Sequence, residues 1–156
     1  MKKETVLGLF DAYADDLYRF AFSYVKSRQD AEDIVQDVFL KLTAKVIGIR
    51  PEYEKAYLMK MTANLCRNHL KSARVRKNTP LEEAAELHAP ADKSGENCYD
   101  ALMTLEEIYR VPLYLHYYED APYSRIADML GISSSAVAMR ISRGKKILRE
   151  KMEEEP

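Results

Sequence analysis

Glycine and proline are scarce, five and six in a chain of 156 residues, which excludes a collagen-like or loop-dominated low-complexity polymer. There are two cysteines, Cys66 and Cys98, far apart and outside any CxxC pair, so neither a disulfide framework nor a cysteine zinc site is signalled and both are expected as reduced thiols. The three histidines, His69, His88 and His116, form no HxxxH or HExxH spacing, which argues against a metal-dependent enzyme; neither metal nor cofactor is expected. Long apolar runs are missing too. The stretch Val6 to Phe10 stops at Asp11, too short for a secretory core or a membrane span, so direct membrane insertion is not expected and a cytoplasmic location is. No internal repeat and no alternating strand pattern between hairpin turns is visible. With 47% hydrophobic and 31% charged residues, what remains is a folded, mainly helical protein.

The net charge of -1 hides a strong asymmetry. Residues 1–55 are nearly balanced, with nine Lys/Arg against ten Asp/Glu, whereas 56–77 hold Lys60, Arg67, Lys71, Arg74, Arg76 and Lys77 and no acid. Residues 78–120 hold ten acids against Lys93 and Arg110, and 121–156 hold seven bases against five acids. Two basic segments therefore flank an acidic one, and partners respond to such local fields rather than to the total.

Apolar residues at Leu7, Phe10, Tyr13, Ala14, Leu17, Phe20, Ala21 and Tyr24 recur every three or four positions and predict an amphipathic helix. Ser27 to Asp30 interrupts it, and Asp30 is expected to cap a second helix, antiparallel to the first, that turns Ile34, Val35, Val38, Leu42 and Val46 inward. Gly48 and Pro51 separate this from a third run, Tyr57, Leu58, Met61, Leu65 and Leu70. Between Asn78 and Asn97 the periodicity fades among Pro80, Pro90, Gly95 and acids, the composition of a tether, with room for a short helix at 81–87. Order is expected again near Tyr99, with Leu102, Leu105, Ile108, Leu113 and Leu115 on one face and a kink or break at Pro112. The fold class expected is all-α, in two small helical domains at 1–77 and 99–156 joined by a flexible acidic linker at 78–98.

Tyr123 to Leu148 carries the strongest motif. Ile126 and Leu130 face inward, Ala127 is small where a second helix must approach, and Gly131 can take the left-handed conformation that ends the first helix. Ser133 is a good N-cap for a second helix that buries Val137, Ile141 and Leu148 and turns Ser134, Ser135, Ala138, Met139 and Arg143 outward. This is the pattern of a helix-turn-helix whose second helix enters the major groove. A plain helical hairpin is the alternative. Arg140, Arg143, Lys145, Lys146, Arg149 and Lys151 against Glu150 favour the DNA-binding reading, because phosphate attraction needs this excess of cations.

Set beside Asp30-Ala31-Glu32-Asp33-Ile34-Val35-Gln36-Asp37-Val38-Phe39-Leu40-Lys41-Leu42, that motif resembles the arrangement in bacterial RNA polymerase sigma factors of the extracytoplasmic-function group, from about Leu9 to Lys151. The resemblance implies a non-enzymatic initiation factor without a small-molecule substrate. Its partners would be core RNA polymerase, promoter DNA and an anti-sigma factor. It implies that Asp33, Gln36, Asp37 and Phe39 contact the clamp helices of the polymerase's largest subunit. It implies that Lys60, Asn64, Arg67, Lys71, Arg74 and Arg76 melt and read the minus-10 element, and that Ser134, Ser135, Ala138, Met139, Arg140, Arg143 and Lys146 read the minus-35 duplex. Glu82, Glu83, Glu86, Asp92 and Glu96 in the tether would suit a basic polymerase channel.

The chain departs from the family pattern at Ala63, where Arg is usual, at Asn68, where Asp is usual, and at Pro112, Pro122, Ala136 and Ala138. A free-standing regulator with the same helix-turn-helix is the competing reading, and residues 30–42 discriminate because a regulator has no need of them. Tyr53 and Tyr57 are candidate stacking residues near the melting segment; most of the eleven tyrosines are expected in the core or at interfaces, and His116 beside Tyr117 and Tyr118.

Overall fold

The computed structural model describes residues 1–45, 47–76 and 96–154. The chain divides into two compact units, Met1–Leu87 and His88–Pro156, and every element among the described residues is helical.

In the first unit α1 (Lys3–Val25), α2 (Arg28–Thr43) and α3 (Glu54–Arg76) pack against one another, with a single 3-10 turn at Pro51–Tyr53 leading into α3. The α1 helix ends as Lys26 enters the left-handed region at φ 58° and its N–H donates to the Phe22 carbonyl. At the next residue, Ser27 rather than Asp30 caps α2: the Ser27 hydroxyl accepts from the Asp30 N–H at 3.2 Å. The earlier cap leaves the Asp30 carboxylate free to reach across to α3, where it meets His69 Nε2 at 2.9 Å.

The core of this unit centres on Leu17, Phe20, Ala21, Val38, Leu42 and Leu58, all without solvent exposure. Full burial of side chains such as Leu17 and Phe20 stabilises by about 1.5–3 kcal/mol each. The inward faces are rotated from those expected at two places. On α1 the buried residues at the start are Val6 and Leu9, while Leu7 and Phe10 are 53% and 44% exposed. On α3 the buried set is Leu58, Met59, Thr62, Ala63 and Cys66, and Tyr57, Met61 and Leu65 lie at the margin. The small residues Ala63 and Cys66 stand where a helix touching both α1 and α2 has little room for larger ones. Ile34, Val35, Val38 and Leu42 face inward on α2 as expected; α2 ends at Thr43, and the expectation for Val46 lies outside the described residues.

The second unit consists of α4 (Glu96–Met103), α5 (Glu107–Tyr118), α6 (Tyr123–Leu130) and α7 (Ser134–Glu154). α7 packs against each of the other three. Helix resumes at Glu96, within the segment expected as tether; the rest of that segment, including the short helix considered at 81–87, lies outside the described residues. Pro112 does not break the chain into two helices: α5 runs through it. The break falls instead at Thr104–Glu106, where the buried Arg110 donates to the Leu105 carbonyl at 2.7 Å. Pro112 forfeits one ladder bond, the one its missing N–H would make to the Ile108 carbonyl, and its ring is buried.

α5 and α7 cross closely at Gly144. A Cβ there would stand 2.8 Å from Leu113 Cδ1 and 3.2 Å from Tyr109 Cβ, so glycine is what lets the two helices meet. Around this crossing lie Leu113, Leu115, Ile126 and Ile141, all at or below 1% exposure. A ring cluster extends it: Tyr118 stands edge-on to Tyr99 and tilted against Tyr114, while His116 packs against Tyr117 and Tyr123 rather than against Tyr118.

Candidate nucleic-acid interface

The turn between α6 and α7 is built by backbone chemistry that the sequence encodes. Gly131 sits at φ 70°, ψ 34°, the left-handed region where only glycine is unstrained, and both its N–H and that of Ile132 donate to the Ala127 carbonyl. The Ser133 hydroxyl then accepts from the Ala136 N–H at 3.0 Å and so caps α7. Val137, Ile141, Gly144 and Leu148 form the buried side of α7. Ser134, Ser135, Ala138, Met139, Arg143 and Lys146 are exposed together on its other side, and Arg140 is half-exposed at the edge. The face expected to meet DNA is thus a single solvent-facing surface. Next to it, Lys145 Nζ lies 5.9 Å from the centroid of the exposed Tyr117 ring.

In the first unit, Lys60, Asn64, Arg67 and Lys71 follow one another at helical spacing along the outer side of α3. Arg67 Nη2 donates to Asn64 Oδ1 at 2.6 Å. Arg74 and Arg76 belong to the end of the same helix, their side chains outside those described. Tyr53 and Tyr57 are 56% and 37% exposed at the start of this stretch, and Lys45 Nζ lies 5.0 Å from the Tyr57 centroid. Tyr13, on α1, donates its hydroxyl to Glu54 at 3.0 Å, and that carboxylate, together with burial, raises the tyrosine above its ordinary pKa.

The acidic residues of α2 line an open groove of about 520 Å³ between α2 and α3. Asp30, Asp33, Gln36 and Asp37 form its α2 wall; Asn68, His69 and Ser72 face them from α3. Asp33 and Gln36 are exposed and Asp37 half-exposed. Phe39 is placed differently from its neighbours. It is 7% exposed, its ring edge-on to Phe10 at 5.1 Å, and the apolar side chain that faces solvent here is Leu40, at 66%. Among the described residues no group of three or more His, Cys, Asp or Glu is arranged to hold a metal ion, and no helix is long and apolar enough to cross a membrane.

The sigma-70 region 2 family model matches residues 9–76 and the sigma-70 region 4 model matches residues 96–148. RNA polymerase sigma factor SigV of Bacillus subtilis is 30% identical over 162 residues, an alignment that spans 99% of this chain and 97% of that protein. The chain belongs to the sigma-70 family. Within it, the chain is a sigma factor of the extracytoplasmic-function group, a family of transcription initiation factors rather than catalysts that give RNA polymerase promoter-specific initiation. The extracytoplasmic-function sigma factor SigE of Mycolicibacterium smegmatis is 28% identical over 149 residues, covering 88% of this chain and 58% of that longer protein. In fold, this sigma factor is similar to Bartonella quintana RpoE, solved with the anti-sigma factor NepR, at a TM-score of 0.68 and 23% identity over 99% of this chain and 98% of that one. It is likewise similar to CnrH, solved with the cytosolic domain of CnrY, at a TM-score of 0.67 and 20% identity over 99% and 92%.

Sequence reasoning named the exposed face of this sigma factor's α7 and the basic track on its α3. It missed the Asp30–His69 pair, the Arg67–Asn64 bond and Gly144. Only Gly144 left a signal, because a glycine inside a helix costs about 1 kcal/mol relative to alanine and so calls for a packing reason.

Proposed function

We propose that this sigma factor reads promoters at two points, with α7 on the minus-35 duplex and α3 on the melted minus-10 element, while α2 docks on the clamp helices of the polymerase's largest subunit. The observation that carries the reading is the division of α7: its apolar side is consumed by α4, α5 and α6, and Ser134, Ser135, Ala138, Met139, Arg143 and Lys146 are left together in solvent. A helix so mounted enters a major groove with short polar side chains at its N-terminal end for base edges, while Arg140, Arg143 and Lys146 supply phosphate contacts.

On α3, Lys60, Arg67, Lys71, Arg74 and Arg76 form the cationic track for a single-strand backbone, and Asn64 contacts an extruded base. On α2, Asp33, Gln36 and Asp37 meet basic groups of the clamp, and Leu40 adds apolar contact. Phe39 supports this surface from beneath through Phe10. An anti-sigma partner is part of the same proposal, supported by the two structural relatives, each solved with such a protein.

The test is reconstitution of the full chain with core RNA polymerase and transcription from a promoter library. Stable association and selection of a two-part promoter are expected. Binding to DNA without association with core would instead favour the free-standing regulator.

A further inference from the structure

We propose that Arg67 is a positioning residue that fixes which end of the Asn64 amide faces the promoter base. The inference rests on the reading of Asn64 as a base contact and specifies how that contact acquires its polarity. A carboxamide has a carbonyl oxygen that accepts and an NH₂ group that donates, and the two ends are nearly equal in shape. Turning the amide over therefore exchanges the base edge that it matches. A guanidinium, by contrast, has donors and no acceptor. Arg67 can hold only the oxygen of Asn64, as it does through Nη2 at 2.6 Å, a short and charge-assisted bond.

The consequence is directional. With Oδ1 held along the helix by a residue one turn away, Asn64 offers its N–H groups to the nucleic acid and selects a base that turns an acceptor toward it. The platform is firm, since Ala63 and Cys66, between and beside the two residues, are fully buried. Asn64 and Arg67 are themselves half-exposed, accessible to a strand lying along Lys60 and Lys71. A role confined to phosphate attraction would not require Arg67 to hold the amide.

The experiment uses holoenzyme assembled from the full chain and core polymerase, transcribing a library randomised across the minus-10 element, with Arg67→Lys, Arg67→Gln, Arg67→Met and Asn64→Ala. Asn64→Ala is expected to flatten base preference at one position. Arg67→Met is expected to reduce the preference at that same position by about three- to tenfold, the worth of one oriented hydrogen bond. Arg67→Lys, which also has donors alone, should keep the preference. Arg67→Gln, which can hold either end of the amide, should weaken it. The double variant Asn64→Ala, Arg67→Met should be no flatter than Asn64→Ala.

If Asn64→Ala flattens a position and Arg67→Met only lowers transcription evenly across the library, the positioning role is overturned while the base contact stands. If Asn64→Ala leaves every position unchanged, the base contact itself falls and takes the positioning role with it. Circular dichroism and retained core association keep a folding defect from imitating either result.

Discussion

Replacing Gly144 by alanine sets two effects of known sign against each other. Alanine is the better helix former by about 1 kcal/mol, because glycine loses more backbone freedom on folding. The added methyl, however, would stand 2.8 Å from Leu113 Cδ1 and 3.2 Å from Tyr109 Cβ. Leu113 has no exposed surface and cannot swing its methyl into solvent, and a Cβ is tied to its backbone, so Leu113 must repack within the core and α5 must give by a few tenths of an ångström at Tyr109. Overpacking of this kind costs about 1–3 kcal/mol. The net expectation for Gly144→Ala is a loss of about 1 kcal/mol, and for Gly144→Val, with two further methyls and a poorer helix former, about 3 kcal/mol. Gly8 in α1 supplies the control, since nothing stands within 4 Å of a Cβ placed there; Gly8→Ala should stabilise by about 0.5–1 kcal/mol. Urea unfolding of the full chain, with hydrogen exchange at the Leu113 and Leu115 amides reporting on the second unit alone, measures both. Equal stabilisation by Gly144→Ala and Gly8→Ala would refute the close crossing.

Gly131→Ala should cost about 1–2 kcal/mol, because a Cβ is strained at φ 70° whatever the space around it, and the same unfolding assay checks this. Ser133→Ala should cost about 1 kcal/mol and fray the start of α7, seen as faster exchange at the Ala136 amide. Asp37→Arg should weaken core association by about tenfold or more while sparing minus-35 duplex binding, and Arg143→Ala should do the reverse; equal loss of both activities in either variant would count against the division of labour. Burial, reinforced by Asp100 and opposed by Arg110, pushes Tyr99 up to about 12 from 10.0. A raised folded value means that its contribution is complete below pH 10 and is lost as pH rises toward 12; Tyr99→Phe should therefore flatten the alkaline loss of stability of the second unit in pH-dependent unfolding.

The helices and the helix-turn-helix were legible in the sequence because each rests on local chemistry: a period of three to four, a Gly131 that ends one helix and a Ser133 that starts the next. What the period could not settle is which side of a helix is inward when the helix touches two neighbours. Large residues such as Leu7, Phe10 and Tyr57 dominate a hydrophobic pattern, yet the space beside α3 went to Ala63 and Cys66, whose modest hydrophobicity carries little weight in such a reading. The cap falls at Ser27 because α2 begins at Arg28, three residues before the start that an Asp30 cap would give; the Asp30 carboxylate then meets His69, 39 positions away, a pairing that no local rule reveals. In the sequence the site is visible only as a set of residue types. The bond that joins Asn64 to Arg67 depends on rotamers, which become fixed only once the helix is packed.

α7 has a division of inheritance built into it. One side is the spine on which α4, α5 and α6 are hung, so changes at Val137, Ile141 or Gly144 are paid for in stability. The opposite side holds up nothing. Ser134, Ser135, Ala138 and Met139 can be exchanged at little structural cost, so a lineage that carries this domain is free to rewrite that surface one side chain at a time while the fold that presents it stays the same.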